Sequence, residues 1–178
     1  MRSYRAQMLS FVDIFLRRWR LTALASSALM LAIAHAFETF GGLAPCTLCL
    51  RQREVYWAAA GVALVGMVVT RLPRGERWRA VFDVALGLIF LAGMGTAIYH
   101  AGAEWKVWPG PTTCAGGGAA ADAKALANLL QGAKVRPPAC DEAAWVFLGL
   151  SMAGWNALIS LKLAVLSFVA AARERTRP

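Results

Sequence analysis

Four apolar runs, at about 21–37, 55–70, 80–99 and 143–172, constrain this chain more than any other feature. Each reaches or approaches the length at which a helix crosses the hydrocarbon layer of a bilayer, roughly 17–25 residues. Inside lipid every backbone N–H and C=O must find its partner within the segment, so such runs fold as helices. Only 16% of the 178 residues are charged and 58% are hydrophobic, too apolar for a soluble domain of this size. The expected fold is therefore all-α: one domain over 1–178, a four-transmembrane-helix bundle with outer loops at about 38–54 and 101–142. The long loop contains a predicted short helix, 119–131. Its Leu126, Leu129 and Leu130 fall at i, i+3 and i+4, and it is expected to lie on the membrane surface.

The net charge of +9 would suit nucleic acid, but its placement argues against that partner. Arg2, Arg5, Arg17, Arg18 and Arg20 precede the first run. Arg71, Arg74, Arg77 and Arg79 mark a Pro- and Gly-containing turn between the second and third. Arg173, Arg175 and Arg177 follow the fourth. In the 101–142 loop, by contrast, Lys106, Lys124, Lys134 and Arg136 are balanced by Glu104, Asp122, Asp141 and Glu142. The positive-inside rule then puts both termini and the 71–79 turn in the cytoplasm, with 38–54 and 101–142 on the other side. Ala34-His35-Ala36 has the form of a signal-cleavage site. The basic lead-in is long for a signal and the run reaches span length, so a retained span is expected; cleavage would leave Cys46 on the same side. Lys162 falls in the last third of the fourth run, where its ammonium can snorkel to the interface. Gly93-Met94-Gly95 is read as a helix-packing feature, not as part of a dinucleotide fingerprint.

The chemistry of the chain lies in its four cysteines. Cys46 and Cys49 form a C-x-x-C within Pro45-Cys46-Thr47-Leu48-Cys49-Leu50-Arg51-Gln52-Arg53. If a helix starts after Pro45, Cys46, Cys49 and Arg53 fall at i, i+3 and i+7, on one face. Sulfurs so spaced are close enough for a disulfide, and a helix N-terminus with a nearby cation favours the thiolate. Cys114 and Cys140 lie in the long loop, flanked by glycines 116–118 and by Pro137-Pro138. The charge rule puts all four on the non-cytoplasmic, oxidising face. Three readings stand open on these residues: a redox-active pair, half of a four-sulfur zinc site, or a structural disulfide. A thioredoxin motif would bring a βαβ pattern, which is absent. Gly- and Pro-rich flanks suit the movement that thiol–disulfide exchange needs better than the fixed tetrahedron of zinc. For the electrons, a lipid-soluble quinone is the natural acceptor at the edge of a membrane bundle. Arg53, beside Cys49, would stabilise both a thiolate and a reduced quinone oxygen.

Three motifs in order resemble the disulfide bond formation protein B (DsbB) family. They are Pro45 to Arg53 as P-C-x-L-C-x-x-x-R; Tyr99-His100 with Glu104, Trp108-Pro109, Pro111 and Cys114; and Cys140 with Trp145, Phe147-Leu148-Gly149-Leu150-Ser151-Met152 and Trp155. The resemblance covers nearly the whole chain after the first 20 residues. It implies a protein dithiol:quinone oxidoreductase of the bacterial inner membrane. Cys114 would form a mixed disulfide with a periplasmic DsbA-like thioredoxin-fold protein, Cys140 would pass electrons to Cys46, and Cys49 would face ubiquinone or menaquinone. Arg53, His100 and Met152 would be quinone-pocket positions, and no metal is expected. Two residues depart from the family pattern. Ala153 stands where many members have proline, which implies a straighter fourth helix. Gln52 stands where an acid is common, which weakens a charge-tuning role beside Arg53. A vitamin K epoxide reductase-like bundle would keep the chemistry, but the motif order fits DsbB better. A non-enzymatic protein with structural or zinc-binding cysteines is the alternative from another class. His35 is read as an interfacial histidine; a haem held by His35 and His100 would leave the cysteines unexplained. The tryptophans at 57, 105, 108 and 145 fit an aromatic belt.

Overall fold

The computed structural model describes residues 15–16, 18–111 and 140–176. Four long helices dominate these residues: α1 (Trp19–Thr39), α2 (Thr47–Val69), α3 (Arg79–Glu104) and α4 (Met152–Arg175). A short 3-10 helix, Gly75–Trp78, joins α2 to α3. A two-stranded antiparallel hairpin, β1 (Val146–Phe147) and β2 (Leu150–Ser151), leads into α4. The expected loop helix 119–131 lies outside the described residues.

Three helical segments, Trp19–Thr39, Gly75–Glu104 and Met152–Arg175, are long and apolar enough to cross a membrane. The expectation of four spans is met only in part. α2 is long enough, but its first turns carry Arg51, Gln52, Arg53 and Glu54, which shorten its apolar stretch. The fourth run also begins later than the expected 143. Leu148 and Gly149 both adopt left-handed backbone (φ 50° and 78°), the requirement of a tight hairpin turn. Ser151 then caps α4, its Oγ accepting from Gly154 N at 3.1 Å. Residues 146–150 are apolar enough to continue a helix, but the turn at Gly149 and the cap at Ser151 make them a hairpin.

The helix contacts are rich in small residues set around a few large ones, Trp19, Tyr56, Leu86 and Phe90, while many large apolar side chains lie on the outside. Ala23 and Ser27 of α1, Ala59, Ala63 and Gly66 of α2, Gly87, Gly93 and Ala97 of α3, and Ser160, Ala164, Ser167 and Ala170 of α4 are buried. Leu29, Leu64, Val65, Val68, Leu88, Leu158 and Val165 are exposed. That is the pattern of helices associating in lipid, where apolar side chains gain nothing by hiding from the solvent and small residues let backbones approach. α3 packs most extensively on α4, α1 on α2, and α2 on α3. Trp19 Nε1 donates to Ser167 Oγ at 3.0 Å, tying α1 to α4. A Cβ on Gly93 would come within 2.8 Å of Val55 Cγ1, so Gly93 does serve helix packing, whereas Gly95 faces open space.

One buried ion pair crosses this interior. Arg20 Nη1 bonds both carboxylate oxygens of Asp83, at 2.9 and 3.1 Å, joining the start of α1 to the start of α3. At the other end of α3 the chain folds back. Trp108 Nε1 donates to the Tyr99 carbonyl at 2.8 Å, and the two rings stack with centroids 6.0 Å apart. Gly102 makes room for this: a Cβ there would run into the Trp108 ring.

Candidate functional site

α1 ends in the Gly41-Gly42 turn, where Gly42 is left-handed (φ 64°) and Leu43 N reaches back to the Phe37 carbonyl at 3.2 Å. Pro45 then precedes an extended Cys46, whose Sγ caps α2 by accepting from Cys49 N at 3.2 Å. The helix thus starts one residue after Cys46, and the C-x-x-C straddles its N-terminus. The two sulfurs are 2.8 Å apart. Cys46 is buried, at 5% exposure, and Cys49 is partly buried.

Electrostatics separate the pair. The Cys49 thiol donating to it, with His100 adding to the effect, holds Cys46 down to about 4 against the opposing cost of burial. The same hydrogen bond, together with burial, keeps the proton on Cys49 and raises it. Within the reduced pair these contacts favour the charge on Cys46 over Cys49. The helix dipole supports this, since its positive end meets the capping atom.

His100 places Nε2 3.6 Å from Cys46 Sγ and 3.7 Å from Glu104 Oε1. It lies inside α3, which continues to Glu104, and not at the helix end expected from the apolar run. Glu104 Oε2 is buried with no hydrogen-bond partner among the described residues. Arg53 donates to Glu38 Oε2 at 2.5 Å and to the Ala34 carbonyl at 3.1 Å. Its charge is thus shared with a carboxylate of α1, and no direct bond to Cys49 is formed. Arg51 is exposed and pairs with Glu54 at 3.0 Å.

These groups line one cavity of about 310 Å³. Its wall includes Cys46, Cys49, Arg53, His100, Glu104 and Met152, so the expected positions of α2, α3 and α4 converge. Apolar residues of α1, among them Met30, Leu31 and Phe37, form another side. Residues 142–145, just after Cys140, close the cavity, with Trp145 against Phe37 at 5.3 Å between centroids. Cys140 itself is 1% exposed and disulfide-bonded. Its turn is held to the end of α3 by Lys106 and Asp141, 2.5 Å apart, and the ammonium lowers the Asp141 carboxyl. Cys114 lies outside the described residues. Trp145, Phe147 and Trp155 form an aromatic row, and Trp155 Nε1 donates to the Phe147 carbonyl at 3.0 Å. His35 bonds the carbonyl of Leu31, one turn back on its own helix, at 2.8 Å.

Reading the sequence missed several polar residues of this site: Glu38, Gln52, Tyr56, Asn156 and Ser160. A signal was present. Gln52 with Tyr56, and Asn156 with Ser160, are i, i+4 pairs of polar side chains at the edge of or within apolar runs, which such runs tolerate only where the groups face one another.

Comparison with known proteins adds the family. The model of the family described as "Disulfide bond formation protein DsbB" matches residues 16–170. The chain is 31% identical to disulfide bond formation protein B of Dechloromonas aromatica, over 86% of this chain and 92% of that protein. It is 30% identical to disulfide bond formation protein B 2 of Pseudomonas entomophila, over 91% and 95%. Against disulfide bond formation protein B of Aromatoleum aromaticum the identity is 31%, over 75% and 79%. No solved structure matches the chain significantly.

Proposed function

This chain belongs to the DsbB family, a family of helical membrane proteins of disulfide bond formation, and on that premise we propose that it is a protein dithiol:quinone oxidoreductase. The observation that carries the reading is the convergence of both C-x-x-C sulfurs with His100 and Arg53 on one largely apolar cavity. The substrate is the dithiol of a periplasmic DsbA-like thioredoxin-fold protein. The Cys114–Cys140 disulfide oxidises it by exchange through a mixed disulfide at Cys114, leaving the partner oxidised and Cys114–Cys140 reduced. Cys140 passes the electron pair to the Cys46–Cys49 disulfide. The fold in this reading is a four-span bundle in the bacterial inner membrane, α2 being the fourth span, with all four cysteines periplasmic.

The cavity fits a quinone ring, ubiquinone or menaquinone. Its volume is at the lower end of small-molecule sites, its lining is mostly apolar, and a few polar groups converge on it. A bound quinone supplies the sink, taking two electrons and two protons per dithiol oxidised. This chain's residues do the rest. Arg53, held by Glu38 and the Ala34 carbonyl, aims a fixed positive charge at the cavity wall. His100 sits against Cys46, where it stabilises the thiolate, and Phe37, Trp145 and Met152 give the cavity an apolar wall. Glu104 lines the same cavity, with one buried oxygen that has no hydrogen-bond partner among the described residues.

The deciding experiment mixes purified protein anaerobically with a reduced DsbA-like partner, with and without added quinone. Catalytic oxidation of the partner that requires quinone is expected. Stoichiometric bound zinc with no turnover would instead support the non-enzymatic alternative.

A further inference from the structure

The hydrogen bonds behind His100 carry an inference of their own. Gln52 of α2 and His100 of α3 are both buried, and Gln52 Nε2 lies 2.8 Å from His100 Nδ1. An amide nitrogen only donates, so Nδ1 is the acceptor. Two neighbours fix the amide's orientation. Gln52 Nε2 also donates to the Leu48 carbonyl at 3.3 Å, and Gln52 Oε1 accepts from Asn156 Nδ2. Asn156 Oδ1 in turn accepts from the Tyr56 hydroxyl, which lies 3.1 Å from Ser160 Oγ. Turning the Gln52 amide over would set its oxygen against the Leu48 carbonyl oxygen. A neutral imidazole that accepts at Nδ1 carries its proton on Nε2. That nitrogen faces Cys46 Sγ and Glu104 Oε1, both acceptors.

We propose that Gln52 is a positioning residue: it holds His100 in the Nε2–H tautomer, so that the imidazole donates to the Cys46 sulfur and the Cys46–Cys49–His100 trio is closed to metal ions. The second half follows from the same proton. The two sulfurs and a ring nitrogen of His100 lie within 4.8 Å of one another. Two thiolates and an imidazole are donors that zinc takes readily. A ligating ring nitrogen must be bare, however, and its partner nitrogen ordinarily donates outward to an acceptor. Gln52 presents a donor where a zinc site needs an acceptor. The protein thereby keeps a reduced dithiol beside a histidine without building a metal trap, and zinc there would block electron transfer. This consequence rests on the redox reading proposed above; the tautomer does not.

The test uses full-length protein with ¹⁵N-histidine in detergent, reduced, under argon, at about pH 8, where a free imidazole is neutral. Cys114→Ser and Cys140→Ser remove the other thiols, and His35→Gln leaves His100 as the one histidine observed. Ring ¹⁵N shifts are expected to report a protonated Nε2 and a bare Nδ1. In Gln52→Glu, whose carboxylate accepts, the proton should move to Nδ1. The same variant should bind Zn²⁺ about 10–100-fold more tightly than its Gln52 parent by calorimetry. A proton on Nδ1 in the parent protein overturns the proposal, and this holds even if Gln52→Glu does not fold. Equal zinc affinity of the folded variant and its parent also overturns it. Neither readout involves a quinone or a partner protein, so failure here and failure of the quinone-coupled reading are told apart.

Discussion

Cys46 meets His100 of α3 and Arg53 meets Glu38 of α1, and both contacts have testable consequences. Spacing put Arg53 beside Cys49 and the thiolate with it. In the structure the charge is favoured on Cys46, which accepts from the helix amide of Cys49 and lies 2.8 Å from its partner sulfur and 3.6 Å from His100 Nε2. With Cys46 held down to about 4, the thiolate fraction is already near its maximum at neutral pH. An ordinary thiol gains nearly tenfold in rate per pH unit up to about 8.5. Alkylation of reduced Cys46 by a small permeant reagent should instead be nearly flat over about pH 6–8 and fall only as pH drops toward its lowered value. In His100→Ala the fall should begin at higher pH, because one of the groups favouring the thiolate is gone. Mass spectrometry of the modified peptide reads both profiles, and a tenfold-per-unit rise for Cys46 would contradict them. Arg53 is mostly buried and anchored by Glu38, while Arg51 is exposed. Loss of one preorganised charge at a reacting centre costs about 2.7–4 kcal/mol. Arg53→Ala should therefore slow quinone reduction by roughly 10²-fold and spare exchange with the partner, and Arg51→Ala should be close to neutral. Stopped-flow traces of the two half-reactions separate these effects; equal, small changes in both variants would reduce Arg53 to an anchor.

At the scale of elements, helix ends explain what periodicity did not. The start of α2 was legible because Pro45 and the Gly41-Gly42 turn bracket it. The start of α4 was not, because Val146, Phe147, Leu148 and Leu150 are apolar enough to continue a span. Only the left-handed pair Leu148–Gly149 and the Ser151 cap stop the helix there. The return of the chain after α3 depends on Gly102, whose missing Cβ is filled by the Trp108 ring. A methyl group there must displace a large ring that is stacked on Tyr99 and bonded to its carbonyl. Gly102→Ala is expected to destabilise by about 1–3 kcal/mol. Gly95→Ala, in the same helix but facing open space, should be neutral or slightly stabilising. Thermal unfolding in detergent compares the two, and equal effects would mean that Trp108 can move aside freely.

For the whole molecule, the small-inside, large-outside packing is that of a multi-pass membrane protein, and the remaining question is which way it faces. The basic residues before α1, between α2 and α3 and after α4 predict a cytoplasmic location for those three segments. The C-x-x-C turn and the 101–142 loop, at the opposite ends of the helices, should then be periplasmic. Membrane-impermeant thiol labelling of intact, reduced cells checks this: Cys114 and Cys140 should react before lysis, and their protection until lysis would reverse the topology. The opposite end of the bundle holds Arg20 and Asp83. Removing one member of a buried pair strands the other, at a cost of about 3–5 kcal/mol. Asp83→Ala should lower the unfolding temperature far more than Glu76→Ala, whose carboxylate is exposed and only 3.4 Å from Arg79 in a surface pair.

The sequence by itself determined that the chain is helical and membrane-bound, because apolar runs of span length leave the backbone no partner but itself. It also marked Cys46, Cys49 and Arg53 as neighbours, because i, i+3 and i+7 on a helix share a face whatever surrounds it. Tertiary structure alone decided what anchors Arg53 and how His100 is oriented. Each of those depends on a group from another helix, Glu38 of α1, Gln52 of α2 or Asn156 of α4, brought within hydrogen-bond reach by packing. Local spacing carries no information about such distances: Gln52 and Asn156 are 104 residues apart in the chain and bonded in the fold.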